Sequence, residues 1–217
     1  MPLQLPPPVT RALLIACTVL LFLGAAIRQL GAIEQQWLTL FPAFSGGFWP
    51  WQILTYPFVH LNVLQWFFNM LMLYFMGSRL EELWGVRRYV QFLLASTVMA
   101  ALAFVLITLL FGASMPLNGM AGAVFGMLVA FGILFPHQRI LLYFVAEVTM
   151  RTAVWVFVGI EVIFMIGSML DGSGMWPSMV ATLGGALGGY LMLLYWRWRP
   201  PSFKRKKSPP PHIRRVH

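Results

Sequence analysis

"LNGMAGAVFGMLVAFGILF", residues 117–135, begins as a glycine cradle and continues as an uncharged apolar run. Gly119, Gly122 and Gly126 cluster around Ala121. Glycine weakens a helix, so its recurrence here signals close backbone approach. The residue that the cradle frames carries no functional group. The run beyond it is a membrane-helix pattern.

The rest of the chain agrees with that environment. It has 217 residues, of which 59% are hydrophobic and 10% charged, with a mean hydropathy of +0.77. A soluble domain carries about 25% charged residues. The composition describes an all-α polytopic membrane protein of one compact domain. Cys17 is the single cysteine, so no internal disulfide can form. "LIAC" (14–17) lacks the preceding apolar region of a lipoprotein signal, and cleavage after "GAA" (24–26) ranks below a retained first helix.

Residues 1–10 are proline-rich and expected to be disordered. Six apolar stretches follow, at 12–27, about 61–75, 89–111, about 120–135, near 153–170 and near 179–196. The second and fourth are short for a bilayer span, which suits helices surrounded by other helices or opening into a cavity. The membrane domain covers 11–197, and 198–217 form a basic tail.

Basic residues test the span count. Eight of the 15 lie between Arg197 and Arg215. Arg11, Arg79, Arg87, Arg88, Arg139 and Arg151 fall on the same side under six spans, and Arg28 alone falls on the other. The positive-inside rule then puts both termini in the cytoplasm. This one-sided distribution of the +9 charge points to anionic lipid at the basic tail and not to nucleic acid. The long segment "WLTLFPAFSGGFWPWQILTYPF" (37–58) is broken by proline and glycine and reads as an interfacial hairpin.

In the sixth stretch, "GGALGG" (184–189) holds two overlapping GxxxG patterns, which let helix backbones touch. Homodimerisation is one reading. Packing inside the bundle against Gly122 and Gly126 is preferred. In "HLNVLQWFFN" (60–69), Gln65 and Asn69 share a helix face, and buried amides in a membrane need partners.

Together these segments resemble the rhomboid intramembrane serine proteases over about residues 37–196. "HLNVLQWFFN" is similar to the family's His-x4-His-x3-Asn, apart from Gln65. Trp51-Gln52 stands where the family has Trp-Arg. Gly77, Glu81 and Gly85 match Gly-x3-Glu-x3-Gly. "NGMAGAVFG" (118–126) matches the region of the Gly-x-Ser-Gly nucleophile motif, and "VATLGGALGG" (180–189) that of Ala-His-x-x-Gly, with Gly185 and Gly189 retained. The resemblance implies a six-helix bundle with a lateral opening near spans two and five.

It also implies that the chemistry is gone. The nucleophile and base positions of active members correspond to Ala121 and Thr182. A methyl group cannot attack a carbonyl, and a threonine hydroxyl is too weak a base at neutral pH. The oxyanion position is Gln65, while Asn69 and the supporting His60 remain; Gly119 and Gly122 flank the empty position. The expected function is a pseudoprotease that binds or routes transmembrane client segments. No cofactor or metal is expected. A bacterial inner membrane is expected from the compact six-span form.

Two alternatives stand beside it. One is a protease with an unorthodox site drawn from Ser114, Ser178 and His60; His137, His212 and His217 map to the basic side. The other is a small transporter built around Glu161 in mid-span. An intramembrane carboxyl is functional by default, yet a pathway needs a chain of such groups, and inverted halves are not seen. Glu161 is expected to bond a neighbouring hydroxyl or backbone group, and Thr182 the carbonyl of its own helix. Glu147 and Arg151 read as an ordinary four-apart pair.

Overall fold

The computed structural model describes residues 5–112, 115–142 and 146–198. Ser114, His212, His217 and the tail beyond Trp198 lie outside the described residues. Four helices are long and apolar enough to cross a membrane: α1 (Pro8–Ala26), α6 (Val86–Phe111), α8 (Met150–Leu170) and α9 (Trp176–Trp198). The short helix α2 (Arg28–Leu38) follows α1. Then α3 (Gln52–Thr55) and a 3-10 turn (Tyr56–Phe58) meet α4 (Val63–Met72) at a 96° bend. A π-helical turn (Leu73–Gly77) joins α4 to α5 (Ser78–Trp84). An integral membrane protein built of helices is therefore established.

The helix α7 (Ala121–Leu134) has 14 residues, short for a bilayer crossing. It buries Gly122, Ala123, Val124, Gly126, Met127, Leu128, Ala130 and Phe131, so it is enclosed on most sides. A helix apolar all round belongs in the interior of a bundle. This is why its hydrophobicity shows no periodic face.

The glycines of α9 divide between two partners. A Cβ at Gly185 would collide with the backbone of Gly122, and one at Gly189 would lie 2.9 Å from the Cα of Gly126. Gly184 and Gly188 face α6 instead: their added Cβ atoms would lie 2.5 Å from the Ala103 Cβ and 2.7 Å from the Ala95 carbonyl. Each GxxxG pattern thus serves a different neighbour within the chain, as backbone contact in a membrane requires small residues.

Two local expectations are corrected. The segment 37–58 is not a simple hairpin. It starts in α2, pairs Leu40 with Leu117 in an isolated bridge (N–H to O, 3.0 and 2.8 Å), and ends in α3. Glu147 does not pair with Arg151. It lies in an antiparallel ribbon, β1 (Arg139–Leu142) with β2 (Ala146–Thr149), and its Oε2 is 3.4 Å from Arg139 Nη1. The β-branched Ile140, Val148 and Thr149 suit a strand better than a helix start.

Candidate functional site

The cradle sits where α7 begins. Gly119 has φ +81°, and its N–H donates to the Tyr56 carbonyl at 3.0 Å. A Cβ there would lie 2.6 Å from Gln65 Nε2 and 3.5 Å from Asn69 Nδ2. Glycine is required twice at this position, by backbone conformation and by the amides that press on it.

Those amides belong to a polar cluster in which His60 and Asn69 are buried and Gln65 is half-buried. Asn62 caps α4, accepting from Leu64 N at 2.7 Å and Gln65 N at 3.4 Å. This orients the helix so that Gln65 Nε2 donates to the Asn118 carbonyl (3.4 Å) and Asn69 Nδ2 meets His60 Nε2 (3.2 Å). The other imidazole nitrogen, Nδ1, faces the Phe58 carbonyl at 3.3 Å. The amide can only donate to Nε2, so Nδ1 carries the proton. His60 lies in the link before α4, outside the helices, and burial holds it below the ordinary imidazole range, opposed by the Phe58 bond. Both ring nitrogens are occupied by structural partners.

Ala121 is the first residue of α7 and half-buried. Thr182 is buried in α9, and its hydroxyl donates to the Ser178 carbonyl at 3.1 Å, as expected for a threonine in a helix. Glu161, half-buried on α8, interacts through its carboxyl with the same hydroxyl. Glu161 and Thr182 thus stand near each other where α8 meets α9, while the Thr182 hydroxyl itself is committed to Ser178.

Gln52 is 0% exposed and fully satisfied. Its Oε1 accepts from Phe41 N (3.3 Å) and Trp49 N (3.1 Å); its Nε2 donates to the Gly47 carbonyl (3.0 Å) and the Gln36 carbonyl (3.4 Å). An uncharged amide has both the acceptor and the donors this loop requires. Trp51 stacks with Trp49 at 5.0 Å and Trp37 at 6.2 Å, and its Nε1 donates to the Trp37 carbonyl at 2.9 Å.

The Gly77, Glu81 and Gly85 group stands apart, at the other end of α4–α5. A Cβ at Gly77 would collide with the Tyr89 hydroxyl, and Gly85 has φ +76° where α5 gives way to α6. Glu81 is buried and accepts from Val9 N (2.9 Å), Thr10 N (2.8 Å) and Thr10 Oγ1 (2.8 Å). Thr10, Tyr89 and Asn62 carry no motif and were not singled out. Asn62 was findable, since an asparagine before an apolar run signals a helix N-cap.

Among these groups, Ala121 carries no nucleophilic atom and both nitrogens of His60 face structural partners. Among the described residues, no group of three or more His, Cys, Asp or Glu could hold a metal ion.

Fold and site define a helical integral membrane protein with a polar cluster at the mouth of a buried helix. The model of the eukaryotic integral membrane protein family DUF1751 matches residues 11–202, and the chain belongs to that family. None of the curated proteins compared with the chain matches it. The family is described as eukaryotic, which overturns the expected bacterial inner membrane. Compactness of a bundle reflects helix packing and says nothing about which cell's membrane holds it.

Proposed function

We propose that this chain is a rhomboid-like pseudoprotease that binds or routes transmembrane client segments without cleaving them. In this reading α1, α4 with α5, α6, α7, α8 and α9 are six crossing elements around the cradle. What carries it is that Ala121 and Thr182 stand at the two positions to which the resemblance assigns nucleophile and base. The first has no nucleophilic atom, and the hydroxyl of the second donates to the Ser178 carbonyl. The family's framework of glycines persists around them, which fits a retained binding role.

The loosely covered helix α8 offers a client surface. Trp155, Ile163, Phe164 and Leu170 are 69%, 69%, 62% and 84% exposed. Packing against another helix there buries apolar and small-residue surface, the interaction that drives helix association in lipid. The basic segment 198–217 lies against anionic lipid in the same reading.

The test is a reconstituted cleavage assay with a helix-destabilised transmembrane substrate and an active rhomboid as control. No product from this chain while the control cuts, together with photo-crosslinks from α8 to a transmembrane client, supports the proposal. Product at a defined bond sinks it.

A further inference from the structure

An apolar cavity of about 260 Å³ lies between α1, the α3 turn, α6 and the start of α7. Its lining includes Leu13, Leu54, Phe58, Leu94, Thr97 and Met120. Leu54 and Leu94 are 49% and 47% exposed, so the cavity opens sideways onto the apolar flank of the molecule. Val90, Leu94 and Thr97 line it from one face of α6. They span about 10 Å of helix rise, roughly a third of a ~30 Å hydrocarbon core.

Arg87 precedes Val90 by three residues and shares that face. It is exposed and makes no ion pair among the described residues. The neighbouring Arg88 is turned away, with its guanidinium 5.3 Å from the centre of the Trp196 ring. The apolar trough thus has Arg87, an exposed cation, one turn beyond it at the start of α6, where the chain enters its apolar run.

We propose that this groove holds one anionic phospholipid, with an acyl chain in the cavity and the phosphate at Arg87. The apolar lining selects a hydrocarbon chain without regard to sequence, and the guanidinium selects the phosphate by charge-assisted hydrogen bonds. The inference is independent of the pseudoprotease reading, because none of its residues belongs to the His60–Asn69 cluster or to α8.

The full-length protein, purified in detergent, is to be titrated with phosphatidylinositol and with phosphatidylcholine and read by native mass spectrometry. Phosphatidylinositol is expected to be retained about fivefold better, a preference that Arg87→Gln abolishes. Leu94→Trp, which fills the groove, is expected to reduce retention of both lipids; if that variant does not fold, Leu54→Trp fills it from the opposite wall. Equal retention of the two lipids, or a preference unchanged in Arg87→Gln, overturns the proposal. So does a photo-crosslinker at Leu94 that captures an added transmembrane peptide and no lipid.

Discussion

The Glu81 carboxylate closes the first turn of a helix to which it does not belong, accepting the Thr10 amide and hydroxyl at 2.8 Å each. The N-cap residue of α1 is Pro7, which has no side-chain cap to offer. A carboxylate at a helix N-terminus also meets the positive end of the helix dipole. The contact crosses 71 residues of sequence, so it fastens α1 to the α5 end of the bundle.

Glu81→Ala is therefore expected to destabilise the protein by about 2–4 kcal/mol, the loss of charged hydrogen bonds with buried donors left behind. Glu81→Gln is expected to lose roughly half of that. Hydrogen exchange at Val9 and Thr10 gives the local readout: protection unchanged in Glu81→Ala refutes the cap.

Glycines on α8 and α9 are expected to respond oppositely to alanine. At Gly185 the methyl group meets the Gly122 backbone, and separating two helices costs more than about 2 kcal/mol. At Gly159 nothing lies within 4 Å of an added Cβ, so helix propensity governs and stability is unchanged or rises by up to ~1 kcal/mol. Unfolding in mixed micelles by denaturing detergent ranks the two.

Gln52→Arg, which installs the residue that the rhomboid pattern would place there, is expected to weaken this protein rather than strengthen it. Phe41 N and Trp49 N point donors at the site, and a guanidinium accepts no hydrogen bond. A loss of several kcal/mol is expected from a buried, poorly paired charge, on the order of 3–5 kcal/mol. A thermal midpoint equal to or above that of the parent contradicts this account of the loop.

The His60 pair makes stability depend on pH. Burial lowers the folded pKa, so between that value and the unfolded 6.5 the unfolded chain binds more protons. Stability therefore rises with pH in that window. The contribution is complete above 6.5 and is lost as pH falls through the folded value. His60→Gln should flatten the slope of the melting temperature below pH 6.5; an equal slope in both proteins counts against it.

Ala121→Ser combined with Thr182→His is expected to yield weak cleavage at most, because Gln65 and Gln52 still replace two of the family's cations or imidazoles. The new imidazole is also expected to come near Glu161, whose carboxyl lies close to Thr182. Adding Glu161→Gln should then change the cleavage rate; a rate indifferent to residue 161 argues that the imidazole points elsewhere.

Hydropathy and glycine spacing made the membrane helices and their closest contacts readable. Gly122, Gly126, Gly185 and Gly189 had to meet something small, and they meet each other. The Thr182 bond to its own helix was equally readable, since it is local. Long-range polar partners were not. Nothing in the spacing of Thr10 and Glu81, or of Glu161 and Thr182, relates them before the fold does. The β-ribbon was hidden for a related reason. Glu147 lies four residues from Arg151, a helical spacing, and only the antiparallel register gives it Arg139 instead.

The doubled glycine pattern of α9 has a consequence for biogenesis. Both α6 and α7 reserve narrow surfaces for a helix that leaves the ribosome after α8 has been made. Until residues 176–198 insert, α6 and α7 meet through contacts such as Gly122 on Ala100 and Gly126 on Ser96, while the small-residue surfaces that Gly184, Gly185, Gly188 and Gly189 cover stay open. The α6–α7 pair acquires its shared partner with α9. Insertion of α9 is therefore the step that covers the narrow surfaces α6 and α7 present to it.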